Sequence, residues 1–261
     1  MALWIGTSGW QYPHWRGRFY PPGVAQARWL EYYAARFRTV EVNNAFYRLP
    51  EASTFEKWSH RTPADFVVAL KASRYLTHIR RLREPGEPVA LLVDRARHLG
   101  AKLGPVLLQL PANFKVDTAA LDETLAEFPT TVRVAFEPRH DSWYTDDVAA
   151  VLARHGAAFC LSDTPGRRPP MWRTADWGYV RFHRGQSRPD PCYGRAALHS
   201  WAERIAGLFG PSPDVFAFFN NDGCACALRD AHRFALASSK AGLHPTRVPT
   251  AREIHVCGTE G

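Results

Sequence analysis

Seven of eight short apolar segments in this chain carry a residue able to do chemistry near their C-terminal end. In chain order these are Glu41 with Asn43, Lys71, Gln109, Glu137, Asp163, Arg181 with His183, and Asn221. Alternate side chains of an extended segment share a face. Glu41 then shares a face with Asn43, Lys71 with Val67 and Ala69, and Gln109 with Leu107. Glu137 falls with Arg133 and Ala135, Asp163 with Phe159 and Leu161, and Asn221 with Ala217 and Phe219. A half-buried strand would turn such residues to water. Their recurrence at the same end of seven segments argues instead for one inward polar cluster.

The residue types set the chemistry. Three acids (Glu41, Glu137, Asp163) face two bases (Lys71, Arg181), with His183 able to titrate. Such a set is either a paired plug, since buried charges require partners, or a site that binds or transforms a ligand. For a site, Glu137 and Asp163 on successive segments are the candidate acid and base; otherwise Arg181 neutralises Asp163. Lys71 is a nucleophile only if its pKa falls. With carboxylates nearby, it is expected to stay charged and stabilise an oxyanion alongside Arg181. Glu41 completes the catalytic candidates. Asn43, Gln109, His183 and Asn221 are orienting groups. Glu137, Asp163 and His183 carry metal-ligating atoms, but two cations beside them argue against a metal, and no cofactor is expected.

The elements that must position these residues alternate. Helical spacing marks 28–37, 51–59, 88–103, 117–128, 146–155, 196–208 and 224–239. Asp117 is placed as an N-cap and Asp222 as the cap of the last helix. Residues 165–177, with a glycine and several prolines, read as a loop. Eight strands alternating with helices predict parallel pairing, and the length suits a single-domain TIM (β/α)8 barrel over 1–244. Residues 245–261 read as a loosely attached tail. No GxGxxG follows the first strand, so nothing favours a dinucleotide crevice.

In a barrel the loops after strands rim the mouth. Trp10, Tyr12, Trp15, Phe46, Tyr47, Trp143 and Trp172 fall there, with His78 and His140. These rings either stack on sugars or bases or pack the loops; Trp10, Tyr47, His140 and Trp143 are taken as substrate-binding candidates. Arg184 and Arg188 lie near the phosphate position of this fold.

The chain has 261 residues and a net charge of +8. The basic residues are scattered, so the charge speaks to solubility and steering. Five cysteines include no CxxC. No secretory signal precedes the first strand, and no apolar run reaches the roughly 18 residues of a membrane span. A soluble, reduced, cytoplasmic protein is expected, without membrane contact.

GTSGW (6–10), FRTVEVNNAFYRLP (37–50), KASRYLTH (71–78), LGPVLLQLP (103–111), EPRHDSW (137–143), YVRFH (179–183) and FFNND (218–222) occur in order along nearly the whole chain. Together they resemble the successive motifs of the YecE-like family, known as domain of unknown function 72. The resemblance implies a TIM barrel and supplies no reaction. Arg184 stands between His183 and Gly185 where the family pattern implies His-Gly. The expectation is an enzyme doing acid–base chemistry on a small polyhydroxy or anionic compound, phosphorylated ones included. The alternative is a non-catalytic module for a nucleotide or single-stranded nucleic acid, which is not favoured. Oligomeric state is left open.

Overall fold

The structure is a computed structural model and describes residues 2–211 and 213–257. Its strands are β1 (Leu3–Thr7), β2 (Thr39–Val42), β3 (Val67–Lys71), β4 (Leu103–Gln109), β5 (Val134–Glu137), β6 (Ala158–Asp163), β7 (Gly178–Phe182) and β8 (Val215–Phe219). The helices are α1 (Trp29–Arg36), α2 (Asn44–Tyr47), α3 (Ala52–His60), α4 (Gly86–Ala96), α5 (Thr118–Ala126), α6 (Asp146–Arg154), α7 (Arg195–Phe209) and α8 (Cys226–Lys240). The strands pair in parallel in the order β1-β8-β7-β6-β5-β4-β3-β2, as the alternating pattern predicts. Residues 164–177 between β6 and β7 form no helix. The predicted helix 88–103 stops at Ala96, and residues 97–102 form a 3-10 turn broken at Gly100, whose φ is 58°. Asp117 caps α5 by accepting from the Ala120 N–H at 3.1 Å.

Two apolar layers result. Inside the barrel lie Ala69, Leu107, Ala135, Ala158, Cys160, Tyr179, Phe216 and Phe218. Between strands and helices lies the larger core, with Val40, Leu70, Leu108, Phe136, Leu161 and Phe219. Strands buried on both faces are expected where helices cover a parallel sheet.

β1 and β2 stand at the two ends of the strand order. Their seam is stitched by Tyr33 of α1. Its hydroxyl accepts from the Thr7 N–H at 3.0 Å and donates to the Thr39 carbonyl at 3.1 Å. Gly6 allows this approach, because a Cβ there would collide with the Thr39 carbonyl oxygen.

Two sequence expectations change. Residues 245–257 pack rather than trail. Pro245 bridges to Leu3, Thr246 and Val256 are buried, Arg247 pairs with Asp65 at 2.8 Å, and Arg36 pairs with Glu253 at 2.7 Å. Residues 258–261 of the expected tail lie outside the described residues. Four of the five cysteines, expected reduced, form the bridges Cys192–Cys226 and Cys224–Cys257; Cys160 is free and buried. The chain brings their partners together around the start of α8, which spacing alone did not reveal. No helix among the described residues is long and apolar enough to cross a membrane.

Tyr33→Phe leaves a buried N–H and a buried C=O unpaired, and is expected to lose about 2–4 kcal/mol in urea melts with the fold retained. The Cys192–Cys226 bridge spans 34 residues, a loop whose closure is worth about 3–4 kcal/mol in chain-entropy terms. A Cys192→Ser, Cys226→Ser double variant should lose that against the oxidised parent and match it under reductant.

Candidate active site at the barrel mouth

Arg181 on β7 reaches across the barrel interior, almost fully buried, and binds two carboxylates at once. Nη2 donates to Glu41 Oε1 of β2 at 2.8 Å, and Nη1 donates to Glu137 Oε2 of β5 at 2.7 Å. Glu41 also accepts from Ser8 Oγ at 2.7 Å and, on its other oxygen, from the Tyr179 hydroxyl at 2.6 Å. Gln109 Nε2 donates to Glu137 Oε2 at 2.8 Å. Burial alone would raise both acids. The Arg181 charge and these hydrogen bonds override it, holding Glu41 below and Glu137 well below the usual carboxylate range. Burial opposes the charge of Arg181 too, but the two acids hold its pKa well above its ordinary value.

Above this tier sits His183. Its Nε2 lies 3.0 Å from Glu137 Oε1 and its Nδ1 lies 3.2 Å from Asn220 Nδ2. An amide N–H donates, so Nδ1 accepts and Nε2 keeps the hydrogen it gives to Glu137. Arg139 Nε stands 3.8 Å from the same Glu137 oxygen.

Lys71, at the end of β3, is half-buried, and no carboxylate among the described residues lies within ion-pair distance of it. Its Nζ sits 4.0 Å from the Phe46 ring centroid, and His78 also meets that ring, edge-on at 4.9 Å. Burial, then repulsion from Arg181, pushes the Lys71 amine down to about 8, against the pull of Glu41 and Glu137. Burial and then the Lys71 charge push His78 down to about 4, so it is neutral at pH 7.

The structure therefore brings Glu41, Lys71, Gln109, Glu137, Arg181 and His183 together. Asn43 joins their edge, donating to the Ser8 carbonyl at 3.4 Å. Asp163 and Asn221 face the helices instead. Asp163 accepts from Trp201 Nε1 of α7 at 3.2 Å, and Asn221 donates to Asp230 of α8 at 2.8 Å. Phe159 and Leu161 of β6 pack in the outer core, so Asp163 follows them outward, while Ala158 and Cys160 point inward. In β8 the outward residues are Ala217 and Phe219, and Asn220 takes the inward place. Glu137 and Asp163 are thus no acid–base pair, and with His183 they do not converge as a ligand set.

The rim candidates divide similarly. Trp10 is buried edge-on against Trp58, and Trp143 is buried with its Nε1 donating to the Phe114 carbonyl at 2.7 Å. His140 accepts from the Ser142 N–H at 3.2 Å. Only Tyr47 of the four is freely exposed, at 81%. Asp222 makes no side-chain cap. It accepts from Trp15 Nε1 at 2.6 Å and pairs with His14 at 2.8 Å, and burial raises it to about 7 against the pull of His14. Arg184 pairs with Asp190 in solvent.

Ser8, Tyr179, Asn220 and Arg139 escaped the sequence reading. Tyr179 lies two residues before Arg181 and shares its face, so the two-residue period would have found it. Asn220 and Asn221 are neighbours of one type, and composition cannot choose between them.

Fold and site define an eight-stranded parallel α/β barrel with a charged, hydrogen-bonded centre opening at the C-terminal strand ends. The chain belongs to the family described as "Protein of unknown function DUF72", which it matches over residues 4–253. It is 27% identical over 253 residues to the UPF0759 protein YunF of Bacillus subtilis, covering 84% of this chain and 89% of that one. A DUF72 family protein from Thermotoga maritima superposes with a TM-score of 0.76 at 26% identity, over 93% of this chain and 98% of that one. Another, from Enterococcus faecalis, has a TM-score of 0.77 at 17% identity, over 95% and 98%, a likeness of fold.

Arg181→Met strands two buried carboxylates and is expected to lose about 3–5 kcal/mol at pH 7 in urea melts. The stability that Glu41 and Glu137 gain from Arg181 is present above the ordinary carboxylate pKa and is lost as pH falls through their lowered values. The deficit of the variant should therefore shrink below about pH 4.

Proposed function

We propose that this protein is an enzyme doing acid–base chemistry on a small anionic or polyhydroxy compound at the barrel mouth. The observation that carries this is Lys71, a half-buried amine 4.0 Å from the Phe46 ring centroid, with no carboxylate within ion-pair distance among the described residues and pushed down to about 8 by burial. Catalytic lysines are tuned to this range by burial and neighbours. At neutral pH most of Lys71 is charged and attracts an anion or a developing oxyanion. The neutral fraction serves as a base. Glu137 orients His183, and Asn43, Asn220 and Arg139 supply polar contacts at the edge.

The chemistry is assigned to side chains because the carboxylate oxygens that would ligate a metal already accept hydrogen bonds from Arg181, Tyr179, Ser8, Gln109 and His183. The nucleic-acid alternative rests on the basic charge and the loop aromatics, and would need a continuous basic track. Trp10, Trp15 and Trp143 are buried in loop packing.

The test is a screen of phosphorylated and carboxylated sugars beside their neutral parents, read by thermal shift and turnover. Anionic compounds should be preferred at pH 7, and their stabilising effect should fade as pH rises through about 8 and Lys71 loses its proton. Lys71→Met should be as stable as the parent at pH 7, because it removes a charge that burial disfavours. Its kcat/KM should drop by about a hundredfold or more. Equal binding of neutral and anionic partners, or unchanged turnover in Lys71→Met, would overturn the assignment.

A further inference from the structure

A second concave site lies on the helical layer, outside the barrel interior. A cavity of about 730 Å³ runs between α7, α8 and the C-terminal segment, within the range of small-molecule pockets. Its apolar lining includes Leu198, Leu236, Ala237, Ile254 and Val256. Leu236 is 55% exposed there, and few large apolar side chains of the molecule are as open. The charged lining is entirely basic: Arg195, Arg229, Arg233 and Lys240, with His199 and His232.

These cations differ in their commitments. Arg229 pairs with Asp230 at 2.9 Å and donates to the Tyr193 carbonyl. His199 faces Glu203 at 3.3 Å, and His232 reaches the Pro249 carbonyl at 2.9 Å. Arg195, Arg233 and Lys240 have no carboxylate within ion-pair distance among the described residues. Arg233 lies below its ordinary pKa through burial and then the charges of Arg229 and Arg195, with Asp230 opposing. Like charges are thus held together along one wall with Asp230 only partly offsetting them. On α8 the lining residues Arg229, Arg233, Leu236 and Lys240 follow one helical face, a stripe about 16 Å long at 1.5 Å per residue.

We propose that this groove is a binding site for a small soluble amphipathic anion, one phosphate or carboxylate head on a short aliphatic body. The head answers Arg195 and Arg233, and the body covers Leu236 and Ile254. Charge selects the ligand here, since apolar area alone would also accept a neutral chain.

Titration calorimetry on the full chain with octyl phosphate tests this, beside inorganic phosphate, octyl glucoside and sedimentation with phosphatidylglycerol vesicles. Expected is one saturable octyl phosphate site per chain, weakened by salt, with phosphate and octyl glucoside each at least tenfold weaker. An Arg233→Ala, Lys240→Ala double variant and Leu236→Glu, both altering solvent-accessible groove residues, should each weaken octyl phosphate by tenfold or more. Absence of saturable binding would overturn the proposal. So would equal binding of the glucoside or of phosphate alone, binding untouched in both variants, or binding to vesicles without binding to octyl phosphate. Lys71→Met should leave octyl phosphate binding unchanged; a loss there would assign the ligand to the barrel mouth instead.

Discussion

One guanidinium holds the centre of this barrel together. Arg181 is taken out of water, which costs several kcal/mol for any ion, and is repaid only because two carboxylates meet it at 2.7 and 2.8 Å. Each carboxylate in turn accepts further hydrogen bonds. Tyr179 and Ser8 serve Glu41, and Gln109 and His183 serve Glu137. The set ties β2, β4, β5 and β7 across the interior, where ladders alone join only neighbours. Pairs of this kind contribute less to net stability than to fixing a geometry, and here the geometry fixed is the floor of the mouth.

That floor decides the electrostatics above it. With both carboxylates committed to Arg181, none among the described residues is left at ion-pair distance for Lys71. The sequence led us to expect nearby acids to keep Lys71 fully charged. In the structure desolvation and the Arg181 charge outweigh them, and the amine moves down to about 8. Plug and site separate by depth in the reading proposed above. The lower tier of Glu41, Glu137 and Arg181 is fully buried and paired. The upper tier of Lys71, His183, Asn43 and Arg139 is less buried, and the proposed chemistry is placed there.

The barrel was legible from the alternation of apolar segments and helices, and most of the inward set from the two-residue period. The period failed where a strand is apolar on both faces. AFCLSD of β6 and VFAFF of β8 show no polar alternation before their ends, so the last polar residue does not reveal which face it takes. Asp163 and Asn221 were assigned inward by analogy with the other strands, and the packing of Leu161 and Phe219 against helices sends them outward. The loop aromatics were illegible for another reason. Trp10, Trp15 and Trp143 follow strand ends, but their burial depends on partners such as Trp58, Asp222 and Phe114 that are distant in sequence. The disulfides share that difficulty.

The seam between β1 and β2 links fold to site. Most neighbouring strands are registered by ladders of backbone bonds, whereas here the register rests on side chains: Tyr33 between Thr7 and Thr39, then Ser8 on Glu41, then Asn43 and Tyr12 on the Ser8 carbonyl. Two of those contacts, through Ser8 and Asn43, belong to the mouth itself. Local opening costs least where the fewest backbone bonds must break. Ser8, which donates to Glu41 beside Arg181, therefore also takes part in closing the barrel. Gly6 makes this possible by letting the two strands approach without a ladder, which gives the small residues of GTSGW a role in positioning the charged centre as well as in turning the chain.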